Sequence, residues 1–442
     1  MNIAIIGSGI SGNLTARLLA SRHRVKLFEA ASYAGGHTNS VDVAISRQPV
    51  TVDTGFMVFN ERTYPNFCRM LDLLNVKSQP SDMSFSVRCD ATSLEYNGSS
   101  VNTLFAQRTN LLRPWFYGLV RGILQFNQVG EAYAKQLDQS DESITLGEFL
   151  DEHRVSDKVR QYYLVPMLAA IWSAAPEAIE QLPARFILGF MHNHGLMQLA
   201  DRPRWRTIVG GAKNYVAKLL EPIKEQVRLS TPVERVTRHE SGVTVHAKNQ
   251  PAEEFDQVVF ATHADQTLAM LSDATLAEQQ ILSALPYQPN TAILHGDTTV
   301  MPTRPRAWAS WNYRIPKTKN HQPAAASVTY DLNRLQNLPT NEPVFVTLNP
   351  VTDIDEKKIH ETFQYDHPAY TLESVQAQQR WREINGQQRT WFCGAYWGYG
   401  FHEDGVNSAL RVAAEFGVTL DELRKPVVDQ TNCEQRVAAA AN

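Results

Sequence analysis

Asn2 to Ile6 is a short, β-branched, apolar run, the pattern of a strand buried on both faces of a parallel sheet. Glycines at 7, 9 and 12 interrupt it. A helical stretch from Asn13 to His23 follows, and then a second apolar run, Val25 to Phe28, ends on Glu29. Further on, the pattern predicts strands at Val50–Asp53, Val227–Leu229, Thr231–Val236, Val243–His246 and Gln257–Thr262. A loop over Trp205–Gly211 leads into a helix spanning Ala212–Ile223. Near the other end, Thr390–Ala395 reads as a strand entering a glycine- and aromatic-rich turn, followed by a helical pattern over Val406–Gly417. The segment from about Asn102 to residue 200 is largely helical in pattern. Ala326–Tyr330 and Val344–Leu348 alternate instead, which predicts a sheet under a cavity.

A length of 442 residues exceeds what one hydrophobic core usually supports and predicts two closely connected domains. With 43% hydrophobic and 20% charged residues the chain is of ordinary globular composition, and a net charge of −4 gives no reason to expect nucleic acid as a partner. No basic and apolar leader precedes the first strand, and no apolar run reaches about 18 residues, so a cytoplasmic, non-spanning protein is expected. Cys68, Cys89, Cys393 and Cys433 are scattered, which predicts neither a disulfide framework nor a metal site.

The chemistry starts at Gly7-Ser8-Gly9-Ile10-Ser11-Gly12, a G-x-G-x-x-G placed after a strand and opening a helix. Gly7 suits the tight turn, Gly9 lets backbone approach a pyrophosphate, and Gly12 lets helix and strand pack closely. Free N–H groups at the helix start, around Ile10 and Ser11, would face the phosphates. Glu29, followed by Ala30, should accept hydrogen bonds from a ribose diol, and its charge would repel a 2′-phosphate, which argues against NADP. A second pair, Gly35-Gly36, comes directly afterwards with His37 and Thr38, and then Gly55 and Phe56 follow the strand at Val50–Asp53. NAD dehydrogenases continue into another helix at this point, whereas a Gly-Gly turn brings backbone against the extended FAD. In the closing motif, Gly394 ends the strand and Asp404 is placed to cap the last helix, with Gly405 and Val406 in its first turn. That helix would present its positive end to a flavin ring.

Together these motifs resemble the flavin-containing amine oxidase superfamily, over nearly the whole chain. Within it, Gly35–Asn39, Ser327–Tyr330, Asn333–Gln336 and Gly398–Gly405 are similar to a bacterial group of NAD/FAD-binding proteins associated with cyclopropane fatty-acid synthase genes. The resemblance implies an α/β fold: a glutathione-reductase-type, amine-oxidase-like FAD-binding Rossmann domain carrying an inserted α+β substrate domain. It implies a dinucleotide domain in three pieces (1–75, 201–265 and 385–430), a substrate domain in two (76–200 and 266–384), and a tail at 431–442. It also implies that Val233 offers backbone groups to the adenine and that Ala261-Thr262 ends a strand beneath the cofactor. The implied activity is hydride transfer to flavin N5 from an acyl-lipid-like substrate, with a lipid-modifying methyltransferase as partner.

Two departures bear on the activity. His37 stands where amine oxidases carry Arg, and Gly394-Ala395-Tyr396 stands where they place an acid, which argues against amine oxidation itself. The lysine near N5 has no clear counterpart. Thr291–Asp297 is aligned with its strand, which would bring His295 toward the reacting edge. Tyr396, Trp397 and Tyr399 are candidates for a wall over the ring, and His402 and His295 for proton carriers, although such histidines are more often structural. The apolar, arginine-flanked stretch Asn110–Leu124 reads either as a core helix, the commoner use of such a stripe, or as an interfacial helix at a bilayer surface. Arg202–Arg206 reads as a solvated turn or as a contact to the FAD pyrophosphate.

Overall fold

The computed structural model describes residues 1–45, 47–136, 144–198, 200–317 and 327–428. The expected tail at 431–442, and Cys433 within it, lie outside the described residues. At the centre is a five-stranded parallel sheet in the order Val227–Arg228, Arg24–Phe28, Asn2–Ile6, Gln257–Phe260, Thr390–Phe392. Apart from the consecutive pair Asn2–Ile6 and Arg24–Phe28, neighbours in this sheet come from segments far apart in the chain. The side chains of Ile3, Ala4 and Ile5 are fully buried, because both faces are covered. On one face lies the helix Ile10–Leu19, packed against the closing helix His402–Glu415 and against Lys213–Leu220. On the other lies an antiparallel sheet of Val233–His239, Gly242–Ala247 and Glu253–Phe255, whose Phe255 ring meets Phe28 edge-on at 6.0 Å.

A second, seven-stranded sheet runs Ile359–Pro368, Tyr287–His295, Phe345–Leu348, Ser327–Asp331, Trp311–Ile315, Phe85–Cys89, Leu94–Asn97. The two alternating stretches of the sequence are adjacent antiparallel strands here, with Val328 opposite Leu348. Helices Pro114–Ala134, Leu146–Glu152, Val165–Trp172 and Ala184–Asn193 build a second core of their own beside this sheet, around Phe116, Phe126, Leu168 and Leu188.

One local expectation changes. Trp205–Ile208, read as loop, is a strand between Phe59–Asn60 and Ser78–Pro80. Its short W-R-T-I run has no alternation to mark it as a strand, and two chain segments that are remote in sequence satisfy its backbone. Among the described residues no helix is long and apolar enough to cross a membrane, and Cys68, Cys89 and Cys393 are free thiols.

Candidate active site

Between the two sheets runs a cavity of about 790 Å³. One end is floored by backbone. Gly7 to Ser11 line it, and the helix beginning at Ile10 has no side-chain cap, so its first N–H groups open into the space. Two contacts show why glycine stands in this loop. A Cβ on Gly12 would lie 1.9 Å from the Gly7 carbonyl oxygen, and a Cβ on Gly36, at φ +58°, would lie 3.3 Å from Gly9 Cα. Above Gly9 nothing lies within 4 Å, so the loop is close-packed from behind and open in front.

Glu29 lines the same end. Its carboxylate accepts from the Ser8 N–H (2.8 Å), the Ser8 hydroxyl (2.6 Å) and the Ala31 N–H (2.8 Å). A carboxylate has about four acceptor positions, which leaves one for a ribose hydroxyl. Ala30, Val233, Ala261 and Thr262 complete this end, while Gly35, Gly36, Gly55, Phe56 and Gly394 line the cavity further along. An open glycine cradle, an uncapped helix end and a held acid fit a dinucleotide such as FAD: the loop would hold the pyrophosphate and Glu29 the ribose.

The remaining residues anticipated for the cofactor support the cavity from behind. Gly12 packs under the loop. Gly405 meets the first helix: a Cβ there would lie 2.7 Å from Ile10 Cγ2, and the Ser11 hydroxyl donates to the Gly405 carbonyl at 3.0 Å. Val406 is buried in the core. Asp404 is not the N-cap that the sequence suggested. The helix begins at His402, so Asp404 is its third residue and its carboxylate reaches back to accept from the Phe401 N–H at 2.9 Å. Burial pushes Asp404 up to about 7. Its neighbour Glu403 accepts from the N–H groups of Asn66 (3.0 Å) and Phe67 (2.9 Å), so it satisfies the start of a second helix, Pro65–Leu73.

His402 lines the cavity with its ring stacked on Phe56 at 3.4 Å. Its Nε2 is within hydrogen-bond reach of the Thr38 hydroxyl (2.9 Å) and the Tyr215 hydroxyl (3.1 Å), which also bond each other. Thr38 is thus a partner of His402 rather than part of the wall. Burial drives His402 down to about 3, so it is neutral at physiological pH and works as a hydrogen-bonding post.

His295 lies elsewhere. It is fully buried in the seven-stranded sheet, between the Thr347 hydroxyl (2.7 Å) and the Asp297 N–H (3.0 Å), outside the cavity. Ala292 of the same strand lines the cavity. Three residues further along, the alternation of a strand turns the side chain to the opposite face. Tyr396 is in the wall: its ring covers Gly394, its hydroxyl is buried without a hydrogen-bond partner, and Tyr287 stands edge-on to it at 6.5 Å. Tyr399 joins the wall against Phe186 and Phe190, whereas Trp397 faces the core.

Other histidines occupy the cavity instead. His37, His263 and His367 all line it, with centroids 6.2 Å (His37–His263) and 5.2 Å (His37–His367) apart, and Tyr365 lies 5.0 Å from His37. His263 stacks on Tyr287 at 4.2 Å, and His367 Nδ1 lies 2.9 Å from the Ser173 hydroxyl. Nε2 of His37 and Nδ1 of His263 are buried without partners. Burial lowers all three, His367 to about 4. Neighbouring rings lower His37 and His367 further, whereas the Asp265 and Asp366 charges partly offset burial at His263, and a hydrogen bond to the Asp366 backbone does so at His37. The cluster is neutral and keeps open hydrogen-bonding nitrogens.

Beyond the histidines the wall turns apolar: Met57, Met83, Ile171, Trp311, Val346 and Leu348 line it. Among the described residues no Lys or Arg lines the cavity. Arg202 and Arg206 bond Gln198 and Ser78 instead, away from the glycine loop.

Residues 10–309 match the family model described as Flavin containing amine oxidoreductase. No curated protein sequence matches the chain. Among solved structures, putrescine oxidase bound to putrescine superposes with a TM-score of 0.68 at 14% identity, covering 94% of this chain and 99% of that one. Cyclohexylamine oxidase from Brevibacterium oxydans IH-35A gives 0.66 at 16% identity, covering 96% and 99%. A fatty acid isomerase from P. acnes, which produces CLA, gives 0.67 at 15% identity, covering 94% and 98%.

Proposed function

The chain belongs to the flavin-containing amine oxidoreductase family, as an FAD-dependent oxidoreductase, and from that premise we propose that it oxidises or desaturates an apolar, acyl-lipid-like substrate. The observation that carries this reading is the far end of the cavity. Met57, Met83, Ile171, Trp311, Val346 and Leu348 offer a dry, uncharged sleeve, and burying an acyl chain there is favourable by about 0.8 kcal/mol per CH₂. The carboxylates that reach the cavity, Glu29, Glu234 and Asp366, belong to its dinucleotide end and to the histidine cluster. A shared fold with a fatty acid isomerase supports the reading, since that protein takes a chain of this kind.

Bound FAD supplies the acceptor for a hydride. The protein's part is to hold the C–H bond in place and exclude water. Tyr396, Tyr399 and Trp172 form flat walls that confine the reacting segment. The unpartnered Nε2 of His37 and Nδ1 of His263 are positioned to take a hydrogen bond, or the proton that leaves with the hydride. Their lowered basicity keeps both nitrogens open at neutral pH. A lipid-modifying methyltransferase, as the enzyme preceding or following on the same chain, completes this proposal.

A second reading rests on the aromatic wall around Tyr396 and Tyr287, which also suits an amine. Anaerobic mixing of the yellow protein with a phospholipid or fatty-acid extract separates the two. Bleaching of the flavin bands is expected with acyl lipids. Bleaching only with polyamines or arylalkylamines, accompanied by hydrogen peroxide in air, would overturn the acyl reading. Double-bond migration without bleaching would make the reaction an isomerisation, and persistence of the bands with every substrate would leave an FAD-binding accessory protein.

A further inference from the structure

From Tyr96 to Gly130 the chain contains no Asp or Glu, yet it carries Arg108, Arg113 and Arg121. The same stretch holds five of the large apolar residues that the fold leaves exposed: Leu112 at 86%, Val101 at 75%, and Leu111, Tyr117 and Leu124 at 44% or more. Leu111, Leu112, Tyr117 and Leu124 lie on, or just ahead of, the exposed face of one helix. The Tyr117 hydroxyl donates to the Leu111 carbonyl at 3.0 Å, and Pro114, Tyr117, Arg121 and Leu124 follow one another at three- and four-residue spacing along the exposed face of the helix Pro114–Ala134. The opposite face, with Phe116, Leu119 and Phe126, is buried. The arginines meet no carboxylate among the described residues. Arg108 donates to the Asn102 and Phe105 carbonyls and Arg113 to Asn110 Oδ1, while Arg121 stands exposed.

Exposed leucines beside arginines without an ion-pair partner are costly in water unless another surface covers them. The commonest use of such a stripe, burial in the core, accounts for only one face of this helix. We propose that the surface formed by Leu111, Leu112, Tyr117 and Leu124, with Arg108, Arg113 and Arg121 on the same stretch, docks the protein on an anionic phospholipid bilayer. The apolar side chains enter the acyl boundary, and the arginines stay at headgroup level and pair with phosphates. Within Tyr96 to Gly130 three arginines have no acid of the same stretch to offset them, and that basic balance favours an anionic lipid surface over a protein patch of mixed charge. The helix packs on Ala184–Asn193, whose Phe190 lines the cavity, so the docking surface is one helix layer from the site. This deepens the acyl-lipid reading by naming where the substrate is met.

Flotation of the FAD-loaded protein with phosphatidylglycerol/phosphatidylcholine vesicles, set against phosphatidylcholine alone, is the test. Flotation is expected with the anionic vesicles and should fade at high salt. Leu111→Ser/Leu112→Ser should lower partition at least about tenfold and Arg121→Gln about fivefold, with the flavin spectrum unchanged. Arg121 is exposed and makes no hydrogen bond or ion pair among the described residues, so its variant keeps the test valid if the double variant unfolds. Absence of flotation at low salt, or variants that float like the parent, would overturn the proposal. So would a change in oligomeric size on Leu111→Ser/Leu112→Ser, which would make the face a protein interface. Flotation without lipid-driven bleaching of the flavin would leave docking intact and overturn only the acyl substrate.

Discussion

The two ends of the cavity are built on different principles. The dinucleotide end is made of backbone: Gly7 to Ser11, Gly35-Gly36 and the strand ends at Val233 and Ala261. Recognition by backbone requires particular residues at fixed spacing, because a single Cβ would close the cradle. The substrate end is made of side chains from scattered elements, among them Met83, Trp172, Phe190, Trp311, Val346 and Tyr399. Such a wall asks only for apolar bulk of about the right size, which many residues supply. Cofactor binding is therefore brittle to substitution, and substrate choice is tunable.

The largest expected effect is at the brittle end. Gly12→Val drives a side chain into the Gly7 carbonyl, so the purified variant should be colourless even with added FAD and less stable by about 3 kcal/mol, read from flavin absorbance and denaturant melts. A yellow, stable variant would break the contrast. Met83→Glu is the matching change at the tunable end. It should keep the flavin bands yet slow their reduction by an acyl substrate about tenfold in anaerobic stopped flow, since a carboxylate in the sleeve must be desolvated with the chain. An equal loss of FAD affinity would show that the two ends do not separate.

His402 stands at the seam, and its effect is smaller. His402→Gln should cost about 1–2 kcal/mol through the lost contacts to Thr38 and Tyr215. The folded-state value of about 3 lies below the ordinary 6.5, so the unfolded chain takes the proton first. The stability that neutral His402 contributes is complete above about pH 6.5 and is lost as pH falls toward 3. The gap between parent and variant should therefore narrow on acidification, as melting curves across that range would show.

The same contrast explains what could be read in advance. The glycine loop, Glu29 and the Gly35-Gly36 turn were legible because their roles are local. His295 was misplaced because its strand could be recognised but not which of its faces meets the cavity, and that parity is set by the packing of strands 50 or more residues away. Asp404 was given the right helix but the wrong turn position, since its carboxylate works backward from the third residue. His263 directly follows the Ala261-Thr262 strand end and could have been found from that position. His367 carried no local signal: it sits opposite Gln288 on an antiparallel pair and reaches the site only through that register.

The order of strands in the parallel sheet has a consequence for synthesis on the ribosome. Gln257–Phe260 stays an open edge until Thr390–Phe392 arrives, and the first helix has only Lys213–Leu220 beside it until Gly405 has emerged. At about 5–20 residues per second, the glycine loop waits roughly 20–80 seconds for the segments that complete it. Throughout that interval the nascent chain exposes an unpaired edge and an unfinished cradle. Capture of FAD is thus a late, near-terminal event in the life of the nascent polypeptide, and a ribosome that stalls before codon 390 leaves a chain that has its binding motif but no place to use it.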